Sequence, residues 1–127
     1  MSNQRFYICK TCGNLVCMID DSGANPVCCG NPMTELVPNT VDAAQEKHLP
    51  SLTMSPETGL TVQVGSVPHP MTEEHHIEFV YVQTEKGGQM KKLEVGAEPK
   101  CTFRCSEDKP VAVYAYCNLH GLWKTEI

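Results

Sequence analysis

The feature that most restricts the fold of this chain is a set of four cysteines near its N-terminus, arranged as two pairs that each precede a glycine. The pairs are Cys9 with Cys12 in "CKTCGN" and Cys28 with Cys29 in "VCCGNPM". In such a pair two thiolates can bind one ion, and the glycine lets the backbone turn toward sulfur. Four thiolates favour a tetrahedral zinc or iron site, and the ligand types do not separate these metals. Because Cys28 and Cys29 are adjacent, we expect a distorted tetrahedron.

A metal ion would also explain how the N-terminal region folds. The first 29 residues contain five cysteines, and all five histidines lie from residue 48 onward, so we place a domain boundary near residue 37. A segment below about 40 residues usually needs a metal, disulfides or oligomerisation to fold. The sequence ahead of the cysteines has no apolar segment typical of a secretory signal, which predicts a cytoplasmic, reducing environment and metal ligation.

The composition argues against two functional classes. The formal net charge of −5 disfavours nucleic-acid binding, which requires a basic face. No apolar run approaches the length of a membrane span, so we expect no membrane partner.

The region from residue 38 to residue 127 is predicted to form short strands. In "HIEFVYVQ" the alternation places Ile77, Phe79 and Tyr81 on one face of a strand. Similar segments follow, separated by turn sequences that contain glycine or proline. Short strands at this spacing predict an antiparallel sandwich or barrel.

A second group of ligand-type residues lies at the ends of these predicted strands. Four segments, "EKHLP", "PHPM", "EEHH" and "CNLH", contribute His48, His69, His75, His76, Cys117 and His120. Loop ends on a rigid sheet are where metal and catalytic residues gather. One thiolate with several imidazoles is not a usual structural zinc set, and an open position on such a metal would imply chemistry. Neighbours on a strand face opposite sides, so only one of His75 and His76 is expected to be a ligand.

The other three cysteines are not predicted to bind metal. Cys17 lies in the apolar stretch "NLVCMI" and is predicted to be a small core residue. Cys101 and Cys105 would be roughly 13 Å apart on one strand, too far for a disulfide or a shared ion. We therefore assign both to packing.

These motifs together resemble the desulfoferrodoxins, the two-iron class of superoxide reductase. "CKTCGN" and "VCCGNPM" are similar to the desulforedoxin-type iron centre, and "NTVDAAQEKHLP", "VGSVPHPMTEEHHIE" and "YCNLHGLWK" to the catalytic domain. The motifs keep the family order over essentially the whole chain. The resemblance implies a mainly β fold: a small rubredoxin- or desulforedoxin-like metal lobe, residues 1–37, and an immunoglobulin-like antiparallel β-sandwich, residues 38–127. The linker would span about residues 37–45.

The resemblance also implies a cofactor set of two irons per chain. One iron would be held by the four thiols of Cys9, Cys12, Cys28 and Cys29. The other would be held equatorially by four imidazoles and axially by one thiolate, from His48, His69, His75, His120 and Cys117. His76 falls where relatives often carry a large aromatic residue and is left out of the ligand set.

The activity implied by the resemblance is the one-electron reduction of superoxide to hydrogen peroxide, without production of dioxygen. Lys47 would attract superoxide and hold a water that supplies a proton. Glu46 would fill the open iron position in the oxidised enzyme. The family further implies a rubredoxin-like electron donor and a homodimer.

Three other readings of the same residues make different predictions. A two-iron electron-transfer protein would have a closed second site that binds neither azide nor cyanide. A binding module whose fold is stabilised by zinc alone would be colourless. A dismutase would form one peroxide from two superoxides without an external donor.

Overall fold

The computed structural model describes residues 3–127, which divide into two compact units, one ending at Val37 and one running from Pro38 to Ile127. Nearly all regular structure is β-strand, and within the described residues the one helix is the single turn α1 (Gln45–His48). That turn is far too short to cross a membrane, so the described residues contain no helix that could do so. The prediction of a mainly β fold is confirmed.

The N-terminal unit is built from five very short strands. These are β1 (Phe6–Ile8), β2 (Leu15–Cys17), β3 (Val27–Cys28), β4 (Asn31–Pro32) and β5 (Thr34–Leu36). Three form an antiparallel sheet in the order β2-β1-β5, and β3 pairs with β4. One cluster in its core consists of Tyr7, Cys9 and Met33, with Met18 and Cys28 packed against it. This cluster therefore involves two of the thiols predicted to bind metal.

Cys17 does not lie in a core, and that prediction was wrong. The residue is exposed at the end of β2, which is an edge strand of its sheet. Its apolar neighbours Val16 and Ile19 are 38% and 92% exposed. The apolar stretch predicted burial, but the N-terminal unit is too small to cover both faces of an edge strand.

The second unit is a sandwich of two antiparallel sheets. Its strands are β6 (Pro50–Ser55), β7 (Gly59–Val64), β8 (Ile77–Thr84), β9 (Gly88–Lys92), β10 (Lys100–Phe103), β11 (Pro110–Cys117) and β12 (Gly121–Glu126). The sheet orders are β10-β7-β6 and β12-β11-β8-β9. Buried residues of both sheets form one core cluster, which includes Val62, Val80 and Val113. Three strands facing four is the arrangement of constant-type immunoglobulin domains, and the predicted sandwich is confirmed.

A β-bulge near the start of β8 decides which side chains face this core. Tyr116 pairs with Phe79, whereas the next residue, Cys117, pairs with Ile77, so Glu78 is an extra residue on β8. Ile77 therefore joins the core, while Phe79 stacks on Tyr116 on the other face. The prediction that Ile77 shares a face with Phe79 and Tyr81 was wrong for this reason.

Cys101 and Cys105 both pack against the sandwich core, as predicted. β10 ends at Phe103, so Cys105 lies beyond the strand. Burial raises the pKa of the Cys101 thiol to about 11. This disfavours the thiolate form that binds metals.

Two candidate metal centres

The sulfur atoms of Cys9, Cys12, Cys28 and Cys29 converge within 4.8 Å of one another. Cys28 Sγ lies 3.7 Å from Cys12 Sγ and 4.0 Å from Cys29 Sγ. Four sulfurs bound tetrahedrally at about 2.3 Å from one ion would be about 3.8 Å apart. The measured spacings therefore fit a single four-coordinate ion.

Left-handed backbone at two points allows these thiols to converge. Gly13 has a φ of 85°, and its N–H donates to Cys9 O at 2.8 Å, which closes the first loop. In the second pair Cys29 itself has a φ of 53°. An extended pair would direct Cys28 and Cys29 to opposite sides, and this conformation removes that alternation.

The thiols oppose one another's ionisation unless a cation is present. Backbone N–H groups of Cys12 and Thr11 lower the pKa of Cys9 to about 6. Hydrogen bonds with Cys12 and Cys9 raise the pKa of Cys29 to about 12. One thiolate thus forms readily and disfavours the next, so four thiolates together require a metal ion.

The second cluster lies at one end of the sandwich and is assembled from several segments. His48 ends α1, His69 lies in the loop after β7 and His75 lies just before β8. Cys117 is the last residue of β11, and His120 lies in the turn that follows it. Because Cys117 pairs with Ile77, the end of β11 lies beside the start of β8. His69 N donates to the carbonyl of Val64, the last residue of β7, at 2.8 Å.

The ligand atoms of this cluster are close enough to share one ion. One ligand atom from each of His48, His69, His75 and Cys117 lies within 4.8 Å of the others. His48 Nε2 is 3.2 Å from His69 Nε2 and 3.2 Å from His120 Nδ1. His120 Nδ1 is also 3.9 Å from Cys117 Sγ.

The four imidazoles form a square. The centroid distances are 4.7 Å for His48–His69, 4.6 Å for His69–His75, 5.0 Å for His75–His120 and 5.0 Å for His120–His48. His48 and His75 are 6.4 Å apart and occupy opposite corners. An ion bound at about 2.1 Å by a ring nitrogen lies about 3.2 Å from the ring centre, so opposite rings should be about 6.4 Å apart. The square therefore has the size that one central ion requires.

Hydrogen bonds fix the direction of two of the rings. His48 Nδ1 lies 2.7 Å from Ala44 O, and His69 Nδ1 lies 2.7 Å from Pro70 O. Donation from Nδ1 leaves the lone pair of Nε2 directed at the centre, as in many metal-bound histidines. Burial lowers the pKa of His69 to about 4, which keeps this imidazole neutral and able to bind a metal.

His75 carries the clearest sign that an ion completes the site, and an ion would also favour the thiolate of Cys117. The buried Nε2 of His75 has no hydrogen-bond partner among the described residues, a costly state for a buried polar atom. Burial raises the pKa of the Cys117 thiol, although the N–H of His120 lies 3.4 Å from Sγ. A bound cation would satisfy the imidazole nitrogen and favour the thiolate.

Comparison with known families agrees with this arrangement. A family model described as "Desulfoferrodoxin" matches residues 40–126, and one described as "Desulfoferrodoxin, N-terminal domain" matches residues 2–36. The chain belongs to the desulfoferrodoxin family.

Individual relatives align with between about two thirds and nearly all of the chain. A desulfoferrodoxin of Nitratidesulfovibrio vulgaris is 42% identical over 127 residues, or 99% of each chain. A protein named superoxide reductase from Pyrococcus horikoshii is 34% identical over 99 residues. That alignment covers 65% of this chain and 86% of the Pyrococcus protein. The crystal structure of the superoxide reductase from Treponema pallidum superposes with a TM-score of 0.82 at 36% identity, covering 98% of this chain and 100% of that one.

The other residues singled out in the sequence are not part of the ligand cluster. Glu46 and Lys47 are exposed on α1 immediately before His48. His76 is directed elsewhere, because its Nδ1 lies 2.9 Å from Thr72 O and its Nε2 lies 3.8 Å from a carboxylate oxygen of Glu78. The structure thus brings His75, and not His76, into the cluster.

Trp123 supports two of the rings and was not recognised in the sequence. Its ring stacks on His48 at a centroid distance of 4.9 Å, and its Nε1–H donates to His120 O at 3.1 Å. The side chain is only 2% exposed. The sequence "HGLW" placed it three residues after His120, but only the fold brings it against His48.

Gly65 was missed as well, and it lies directly against the turn that carries Glu46 and Lys47. A Cβ at Gly65 would be 2.5 Å from Glu46 O and 2.8 Å from the carbonyl carbon of Lys47. Both contacts are with backbone atoms, so the turn would have to move. Val67 N also donates to Glu46 O at 2.9 Å, which holds this loop against α1.

We therefore expect Gly65→Ala to weaken metal binding at the second centre by about tenfold, the low end of the range for supporting groups of metal sites. Displacement of α1 moves His48 away from the other rings. Competition with a chelator measures the effect. Gly87→Ala is the control, since a Cβ there meets nothing within 4 Å and any backbone strain from its φ of 158° arises near the far end of β8. Equal metal affinity in the two variants would contradict this role of Gly65.

Proposed function

We propose that this member of the desulfoferrodoxin family is a superoxide reductase, which converts superoxide, one electron and two protons into hydrogen peroxide without forming dioxygen. The observation that carries the proposal is the square of four imidazoles beside one buried thiol. This donor set suits a redox-active iron better than a structural zinc. A ferrous iron bound there supplies the electron and a coordination position for a small anion.

Each chain carries two irons. We assign the first to Cys9, Cys12, Cys28 and Cys29 in the N-terminal, desulforedoxin-like domain, residues 1–37. We assign the second to His48, His69, His75, His120 and Cys117 in the catalytic domain, residues 38–127. Four thiolates fill the tetrahedral set of the first centre, so its role is electron transfer or structural support. The second centre is where superoxide reacts.

Lys47 attracts the substrate and positions the water that supplies a proton. Burial and the neighbouring His120 lower the pKa of His75, and the positive charge of Lys47 lowers it further, so this charge acts on the imidazole cluster. The formal net charge of the chain is −5, which opposes the approach of an anion and makes a local cation valuable. Lysine is a weak acid at neutral pH, so its part in proton supply is to hold water.

Lys47→Ile is expected to slow the second-order reaction with superoxide about tenfold at low ionic strength, with a smaller effect at high salt, because steering is screened. Pulse radiolysis at two salt concentrations measures both rates. Lys86→Ile is the control, because Lys86 is an exposed lysine beyond the far end of β8. If Lys47→Ile reacted at the wild-type rate at low salt, Lys47 would have no electrostatic role.

Glu46 is assigned a role only in the oxidised enzyme, in which its carboxylate would bind the iron. Glu46→Ala should therefore change the absorption spectrum of the ferric protein and leave the superoxide reaction rate within about twofold of wild type, as expected for a group outside the fast step. Stopped-flow spectroscopy measures both quantities. A large loss of rate would show that Glu46 takes part in the reaction itself.

We further propose that the protein is a cytoplasmic homodimer that receives electrons from a small rubredoxin-like protein. Exposed apolar side chains of the N-terminal unit support dimerisation: Ile19 is 92% exposed, Val27 67% and Val37 55%. Apolar side chains left this exposed in so small a unit are available to a protein interface.

The deciding experiment counts products. Anaerobically reduced, iron-loaded protein is mixed with superoxide, and the peroxide formed and iron oxidised are measured per superoxide consumed. One peroxide and one oxidised iron per superoxide are expected for a reductase. One peroxide per two superoxides, with the iron unchanged, would identify a dismutase. No reaction, with no spectral change on adding azide, would identify an electron carrier instead.

A further inference from the structure

Asn118 joins two segments that carry ligands of the second centre. Its Oδ1 accepts a hydrogen bond from His76 N at 2.9 Å, and its Nδ2 donates to Glu74 O at 2.9 Å. Its backbone N–H donates to His76 O at 3.2 Å. One side-chain amide therefore binds the backbone on both sides of His75.

These bonds form where the regular sheet ends. The ladder between β8 and β11 stops at the pair Ile77 and Cys117, next to the bulge at Glu78. His75 lies beyond that pair, and strand pairing does not hold it. The amide of Asn118 replaces the missing ladder bonds, so the register between the two chain segments continues past the last strand residue.

His75 depends on such backbone support more than its neighbours do. The rings of His48 and His69 lie within hydrogen-bond distance of carbonyl oxygens through Nδ1. Among the described residues the buried Nε2 of His75 has no hydrogen-bond partner, and the hydrogen bonds of this residue are made by its backbone N–H and C=O with Thr72. Its position relative to the thiol of Cys117 is therefore set largely by the chain on either side of it.

We propose that Asn118 is a positioning residue of the second metal centre, because its amide fixes His75 relative to Cys117 and His120. The inference rests on the metal site of the proposed function. Asn118 lies between Cys117 and His120 in sequence, so a single turn supplies two ligands and holds a third. Removal of the amide lets the His75 corner of the square move away from the other corners.

A residue that only stabilises the fold and a residue that positions a metal ligand have different effects when they are replaced. Loss of a residue that only stabilises the fold lowers the melting temperature and leaves metal release from the folded protein unchanged. Loss of a positioning residue speeds metal release from the second centre alone. The four-cysteine centre of the same molecule lies in the other unit and serves as an internal reference.

The test uses the full-length protein with both irons bound and measures iron release from each centre to a chelator. Asn118→Ala is expected to speed release from the second centre about tenfold, the low end of the range for supporting groups of metal sites. It should also alter that centre's absorption spectrum, while the four-cysteine centre keeps its wild-type release rate. Asn118→Asp keeps the side-chain shape and the hydrogen bond from His76 N. It loses the hydrogen bond to Glu74 O, because a carboxylate oxygen replaces the amide N–H donor. The release rate of Asn118→Asp should lie between those of wild type and Asn118→Ala. If the alanine variant does not fold, the release rate of Asn118→Asp tests the inference in its place.

The chain provides a matched control in Asn39. Its amide likewise makes two hydrogen bonds to backbone, accepting from Lys124 N at 2.9 Å and donating to Lys124 O at 3.1 Å, and Lys124 is not in the ligand cluster. The φ of Asn39 is 63°, so glycine fits this position. Asn39→Gly should lower the melting temperature and leave iron release at the wild-type rate.

Three results would overturn the inference. Wild-type release from the second centre in both Asn118 variants would leave the superoxide reductase proposal intact and refute only the role of Asn118. Equal acceleration in the Asn39 and Asn118 variants would show a general loosening of the fold. If the wild-type second centre bound no iron, the proposed function would fail and this inference with it.

Discussion

Replacement of Cys117 by serine is expected to remove iron from the second centre and to lower the rate of superoxide reduction by at least about 100-fold, since it deletes a ligand rather than a group that supports one. Cys117 is fully buried in the sandwich core. A hydroxyl ionises far less readily than a thiol, so the substituted side chain cannot supply the soft anionic ligand. Iron content per chain and the superoxide rate measure the two effects.

The control for this substitution is Cys101→Ser. Cys101 also packs against the sandwich core but lies outside both ligand clusters. Burying a hydroxyl without a partner costs about 1–3 kcal/mol, so Cys101→Ser should lower the free energy of unfolding while two irons per chain are retained. Full iron content and activity in Cys117→Ser would show that the thiol is not a ligand.

The ligand-type residues of both centres could be identified in the sequence because their chemistry is unusual. Thiols and imidazoles concentrated at glycine turns and strand ends are rare outside metal sites, and strand alternation already limited the HH pair to one ligand. Which side chains are buried was harder to predict from the local sequence pattern. Ile77 was placed on the wrong face because the bulge at Glu78 arises from pairing with β11, a strand more than thirty residues away.

The supporting residues could not be identified for the same physical reason. Asn118, Trp123 and Gly65 act through contacts with backbone or rings from distant segments, such as the bond between Asn118 and His76, 42 residues apart. No local pattern distinguishes such an asparagine or glycine from one in an ordinary turn. Their roles follow from how the sandwich brings its strand ends together.

Removal of metal from the four-cysteine centre is expected to unfold the N-terminal unit and to leave the sandwich folded. The apolar cluster around Tyr7, Cys9 and Met33 in that unit is small, and it contains one ligand, Cys9, with a second, Cys28, packed against it. Structural metal sites contribute on the order of 10 kcal/mol to folding, which a core of this size cannot replace. Without an ion the thiols also oppose one another's ionisation, as the raised pKa of Cys29, about 12, indicates.

Hydrogen exchange followed by mass spectrometry measures this difference in one molecule. In the metal-free protein the amides of β1 and β5 should exchange as fast as in an unfolded chain, whereas those of β8 and β11 keep their protection. Cys12→Ser should lose protection in β1 even with iron present, because its ligand set is incomplete. Cys17→Ser is the matched control, since Cys17 lies in the same unit outside the ligand cluster and should leave protection unchanged. Protection of β1 in the metal-free wild type would show that the N-terminal unit folds on apolar packing and backbone pairing alone.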